Sequence, residues 1–132
     1  MTPNEKFEQA KLVIENFNEE VTKYTTKNKL AKLPPFSELQ NKESIGNIYR
    51  DDQIYYETLS GFRSKYFGMS AFFLKLKTET NDRVLTRKID DMTVYLDKKL
   101  SMLANMVFES KDRVKFYQNV IYLVANMSYG DF

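Results

Sequence analysis

The sequence predicts an all-α protein, an elongated antiparallel bundle of three to four long helices with heptad-like seams. Three observations predict it. Apolar residues recur at alternating spacings of 3 and 4 along most of the chain. Four glycines and three prolines in 132 residues leave little material for a turn-rich β-fold. Hydrophobic residues at 42% and charged residues at 29% suit one ordinary globular domain, so a single domain over 1–132 is expected.

The first helix is expected from about residue 3 to residue 28. Thr2, Pro3 and Glu5 form a capping box with proline at the first helical position, where its missing N–H costs nothing. Behind the cap, Phe7, Ala10, Ile14, Phe17, Val21 and Tyr24 make one uninterrupted apolar seam. Leu30–Gly46 then reads as a crossing segment. Pro34 and Pro35 push the chain into extended conformations, and Leu30, Leu33 and Phe36 are expected to pin it to the core. Ser37 with Gln40 suggests a short helix over 38–44 that stops at Gly46.

The next helix carries Tyr55, Leu59, Phe62, Tyr66, Met69, Phe73 and Leu76 on one stripe. Gly61, Ser64, Gly68 and Ala71 form a second stripe of small residues on another face. Tyr56, Phe67 and Leu74 add bulk on a third side, so this helix is expected to be buried on several sides. Its two glycines cost about 2 kcal/mol against alanine, which something must offset.

The polar run Lys77–Asp82 predicts a turn with Thr80 or Asn81 as the following N-cap. Leu85, Ile89, Met92, Leu96, Leu103 and Met106 continue the heptad pattern, with Lys99 as one imperfect seam position. Glu109–Asp112 is either a short break capped by Ser110 or continuous helix. Residues 114–124 are rich in β-branched and aromatic types, as a strand would be. Their length and double periodicity favour helix, with Val114, Tyr117, Ile121 and Val124 on one stripe and Phe116, Val120, Leu123 and Met127 on another. Gly130 is the expected stop. The tail Tyr129–Phe132 either docks, serves a partner, or frays.

Composition narrows function. His, Cys and Trp are absent. The chain therefore has no disulfide framework, no thiolate and no imidazole base or ligand. Carboxylate pairs occur at Glu5 and Glu8, Glu15 and Glu19, Glu79 and Asp82, Asp51 and Asp52, and Asp90 and Asp91. Each reads as solvated helix surface rather than a carboxylate metal site. Gly61 and Gly68 lie seven apart within a helical pattern, which does not suit a phosphate-cradling loop. No catalytic residue, metal or cofactor is assigned, and a non-enzyme is expected.

The longest apolar run, Val120–Ala125, is far shorter than the roughly twenty residues of a membrane span. The N-terminus lacks the basic and apolar regions of a secretory signal. Ten Asn and fifteen Lys against five Ala suggest an AT-rich genome, of a low-GC bacterium or a phage. A cytoplasmic location, or the virion for a phage protein, is expected.

Two binding readings follow. The first is a structural or adaptor protein working through helix-mediated protein contact. A homo-oligomer is the expected form, and Gly61, Ser64, Gly68 and Ala71 are the interface candidate. The same stripe also suits close packing within the bundle. The alternative is a nucleic-acid-binding accessory factor using Lys23, Lys27, Lys29 and Lys32, with Arg83, Arg87 and Lys88 as a second cluster. The net charge of +2 does not by itself favour this alternative. A carboxylate-metal hydrolase is a third reading with no placed site.

Overall fold

A computed structural model describes residues 1–30 and 42–128 of the chain. Three helices make up its architecture: α1 (Pro3–Lys27), α2 (Lys42–Thr78) and α3 (Arg83–Ser128). No strand occurs among the described residues, so the helical reading of 114–124 holds. The Ser37–Gln40 capping box, Pro34, Pro35, Lys32, Gly130 and the tail from Tyr129 lie outside the described residues.

α1 begins where its cap requires. The Thr2 hydroxyl oxygen accepts the Glu5 N–H at 3.1 Å and donates to the Glu5 carboxylate. The reciprocal bond of the motif thus ends on the hydroxyl instead of the Thr2 backbone N–H. The helix closes at Asn28, whose backbone and side-chain N–H groups both reach the Tyr24 carbonyl.

α2 runs unbroken through Gly46, which corrects the expected short helix ending there. Gly46 does not adopt a positive φ, so it does not terminate the helix. The neighbouring Ile45 is buried against Tyr117 of α3, and that burial holds the segment helical despite the glycine. The crossing segment therefore gives way to helix by Lys42.

α3 is likewise one helix of 46 residues, about 69 Å long. Ser110 does not cap a break. It is fully buried, and its hydroxyl donates to the Met106 and Val107 carbonyls, so it satisfies itself within the helix. The α2–α3 turn differs in one detail from the expectation of Thr80 or Asn81 as cap. Asp82 is the N-cap, accepting the Val84 N–H at 2.9 Å, while the Thr80 hydroxyl accepts the Asp82 N–H. A carboxylate there also complements the helix dipole.

Contacts fix the directions of the helices. Tyr49 meets Gln118, Asp52 meets Arg113 and Lys77 meets Asp90, so α2 and α3 are antiparallel. Phe7 packs on Phe73, Phe17 on Phe62 and Tyr24 on Tyr55, so α1 is antiparallel to α2. The core between them contains the expected seams. Phe7, Ile14, Phe17 and Val21 of α1 are buried with Leu59, Tyr66 and Phe73 of α2 and Leu85, Ile89, Leu96 and Leu103 of α3. Each such aliphatic side chain contributes about 1.5–3 kcal/mol by leaving water. Lys99 stays half-buried with its ammonium 5.6 Å from the Tyr95 ring centre, and Leu100 takes the buried place beside it.

α1 is shorter than its neighbours and ends beside Tyr55. Past that level α2 and α3 continue around a second small core of Ile45 and Tyr117, flanked by Ile48, Tyr49, Val120 and Ile121. Between the two cores lies a polar layer. Asp52 and Arg113 form an ion pair at 3.1 Å with both side chains nearly buried, and the Arg113 guanidinium donates to the Tyr117 hydroxyl at 3.2 Å. The Asp52 Oδ2 and Arg113 Nε atoms touch without hydrogen-bond alignment. Burial pushes the Asp52 carboxyl above its ordinary value; Arg113 opposes that shift and the neighbouring Asp51 adds to it.

Candidate functional site

The small-residue stripe falls on the outer face of α2. The large stripe Tyr55–Leu76 turns toward α1 and α3, and at 100° per residue the small stripe points away from both. Gly61, Ser64, Gly68 and Ala71 are all exposed. A Cβ built on Gly61 or Gly68 would meet nothing within 4 Å. This corrects two expectations. Among the described residues the stripe has no close-packed neighbour in the bundle, and α2 is not buried on several sides. Phe67 is 51% exposed and Leu74 is 55% exposed, because three helices can cover only part of the circumference of α2.

Two features flank the stripe. On the α1 side an apolar groove of about 650 Å³ runs between the helices, with Ala10, Val13, Gly68, Met69 and Phe72 in its walls. Lys6 and Glu79 close one end with a 3.0 Å ion pair. On the α3 side stand Phe67 and Leu74, with the Arg63 guanidinium 5.2 Å from the Phe67 ring centre. The outer face of α2 is thus a small-residue floor between apolar shoulders. Periodicity located the floor but not the groove, which depends on where α1 lies.

The basic residues divide between two places. Lys23, Lys27 and Lys29 are exposed at the C-terminal end of α1, and Arg83, Arg87 and Lys88 are exposed at the start of α3. α1 and α3 are each antiparallel to α2 and so run parallel, with Asn18 level with Tyr95, so the last turns of α1 lie well along α3 from Arg83. The two clusters do not merge. A residue absent from either cluster joins the first instead: Lys99 of α3 lines the same groove as Lys23 and Lys27, together with Thr22, Thr26 and Glu19. Its place at an imperfect seam position was the only sequence signal for it.

The paired acids go separate ways. Glu79 binds Lys6, Asp90 binds Lys77 at 2.7 Å, Asp82 caps α3, and Asp52 binds Arg113. Among the described residues no group of three or more acids converges on a point that could hold a metal ion. No helix among them is long and apolar enough to cross a membrane.

One polar relay was not foreseen. The buried Tyr66 hydroxyl donates to Asn18 Oδ1 at 2.5 Å, and Asn18 Nδ2 donates to the Tyr95 hydroxyl oxygen at 2.6 Å. Burial, with Tyr95 as a lesser cause, pushes the Tyr66 hydroxyl up to about 12. The relay ties α1 to both other helices. Comparison of the chain with protein families, curated proteins and solved structures gives no match.

Proposed function

We propose that this chain is a non-enzymatic structural or adaptor protein that works by helix-mediated protein contact through the outer face of α2. The observation that carries this reading is the open space at Gly61 and Gly68. Each glycine costs a helix interior about 1 kcal/mol against alanine, and among the described residues no close approach offsets that cost. A partner helix lying on the stripe would offset it, since small side chains let two helix backbones come close. Heptad-like seams along all three helices support a coiled-coil-like hairpin as the rigid carrier of this face. The composition supports an AT-rich bacterial or phage source, hence the cytoplasm or a phage assembly.

Light scattering on the Gly68→Leu variant tests the reading. The substitution raises helix propensity and its Cβ meets open space among the described residues, so the monomer should melt at a higher temperature. The same side chain fills the floor of the contact face, so association should be lost. A wild-type chain that stays strictly monomeric at about 100 μM would remove self-association from the proposal.

A second reading has its own observation. Lys23, Lys27 and Lys99 face one groove, and among the described residues none of them is ion-paired. Three ammonium groups around a groove suit a phosphate backbone. Affinity for single- or double-stranded DNA should then fall steeply with salt. Absence of binding at low ionic strength removes this reading.

A further inference from the structure

Resting on the reading of the α2 outer face as a contact surface, we propose that its occupant is a second copy of this chain. The second α2 docks antiparallel across a two-fold axis at position 66, so that Glu57 of each copy meets the partner's Lys75. The face is self-complementary about that position. Glu57 and Lys75 lie nine residues either side of it, Gly61 and Ala71 five, and Ser64 and Gly68 two. Glu57 and Lys75 are therefore eighteen residues apart, about five helical turns or about 27 Å, which puts both charges on the line of the small stripe.

An antiparallel two-fold pairing brings opposite charges together twice. A parallel pairing would set Glu57 against Glu57 and Lys75 against Lys75, which disfavours it. Both groups are available in the single chain. Glu57 and Lys75 are exposed, and neither is ion-paired among the described residues. Among the described residues the Glu57 carboxylate accepts the Gln53 amide alone, at 3.4 Å.

The apolar shoulders obey the same symmetry. Phe67 lies one residue from the axis, so the two copies' rings stand side by side. Phe72 lies six residues from the axis and the partner's Gly61 five, so the ring comes down beside a position that carries no side chain. Both phenylalanines are large exposed apolar groups in the single chain, at 51% and 41%. An unrelated helix would need one charge match on this face. A balanced pair about the centre of the small stripe is what self-pairing requires.

Charge reversal tests the register. Light scattering and sedimentation at about 10 to 300 μM should show a wild-type dimer. E57K and K75E should each weaken it by about tenfold, because each places like charges at both rim contacts. The E57K/K75E double variant should return to within about threefold of wild type. A mixture of the two single variants should form a heterodimer that neither forms alone. Melting curves check that the singles remain folded. A dimer unaffected by the single reversals, or a double variant as weak as the singles, overturns this register and leaves contact through another face. A strict monomer across the range, with no change on Gly68→Leu, overturns both this inference and the self-association reading beneath it.

Discussion

The side chain of Asn18 accepts the Tyr66 hydroxyl at 2.5 Å, so a single asparagine on α1 satisfies the most deeply buried hydroxyl of α2. Its amide then reaches Tyr95 on α3, so the same residue touches all three helices. Truncation of Asn18 leaves the Tyr66 hydroxyl buried without its acceptor, which costs about 1–3 kcal/mol. Asn18→Ala is therefore expected to lower stability by that amount. Tyr66→Phe alone should cost less, about 1 kcal/mol, because it removes the donor along with its need. A double-mutant cycle by urea unfolding measures the coupling between them.

The same hydroxyl sets an alkaline limit. Its folded value of about 12 lies above the ordinary 10, so the neutral form is favoured in the folded protein. The resulting stability is complete below pH 10 and is lost as pH rises through about 12. Unfolding followed from pH 9 to 12.5 should show a steeper loss for the wild type than for Tyr66→Phe. Parallel curves would refute a role for this group.

The ion pair between the two cores is a second buried polar contact whose contribution depends on pH. Removing Arg113 strands the buried Asp52 carboxylate, so Arg113→Leu is expected to cost about 3–5 kcal/mol at pH 7. Replacing both residues by leucine should cost far less, since two apolar side chains need no partners. Asp52 binds a proton more readily folded than unfolded. Its stabilising contribution is complete below its ordinary value of 3.8 and is lost as pH rises through the raised folded value. The Arg113→Leu penalty should accordingly shrink at pH 4, and the wild type should gain on Asp52→Asn as pH falls from 7 to 3. Chemical denaturation at the two pH values checks both.

The two faces of α2 should respond in opposite ways to substitution. Leu59 is fully buried, so Leu59→Ala is expected to cost about 2–5 kcal/mol. Leu74, on the exposed side, should tolerate alanine within about 0.5 kcal/mol. Gly61→Ala and Gly68→Ala should each stabilise the monomer by about 1 kcal/mol, because the added Cβ meets open space in a helical backbone. Thermal melts under monomeric conditions rank the four variants.

Most of the fold was legible in residue spacing. Phe7 to Val21, Tyr55 to Leu76 and Leu85 to Leu103 supply the buried surface as their 3–4 periodicity implied. The α1 start was legible because a cap is a local event among Thr2, Pro3 and Glu5. Gly46 misled, and Ser110 left a break open, for a shared reason. Each suits a helix end judged by its near neighbours, but Ile45 and Ser110 are buried, and that packing outweighs local propensity.

The candidate face was legible in composition and not in orientation. Spacing put Gly61, Ser64, Gly68 and Ala71 on one line, since helical geometry is set within the segment itself. Whether that line faced a neighbour or water depended on where α1 and α3 settle, which is decided by contacts between residues far apart in the chain. So too were the meeting of Lys99 with Lys23 and Lys27 and the Tyr66–Asn18–Tyr95 relay. The sequence by itself determined helices, caps and core stripes, because these follow from backbone periodicity and short-range chemistry. Only the tertiary structure decided which glycines were left uncovered, because three helices cannot enclose one another on every side.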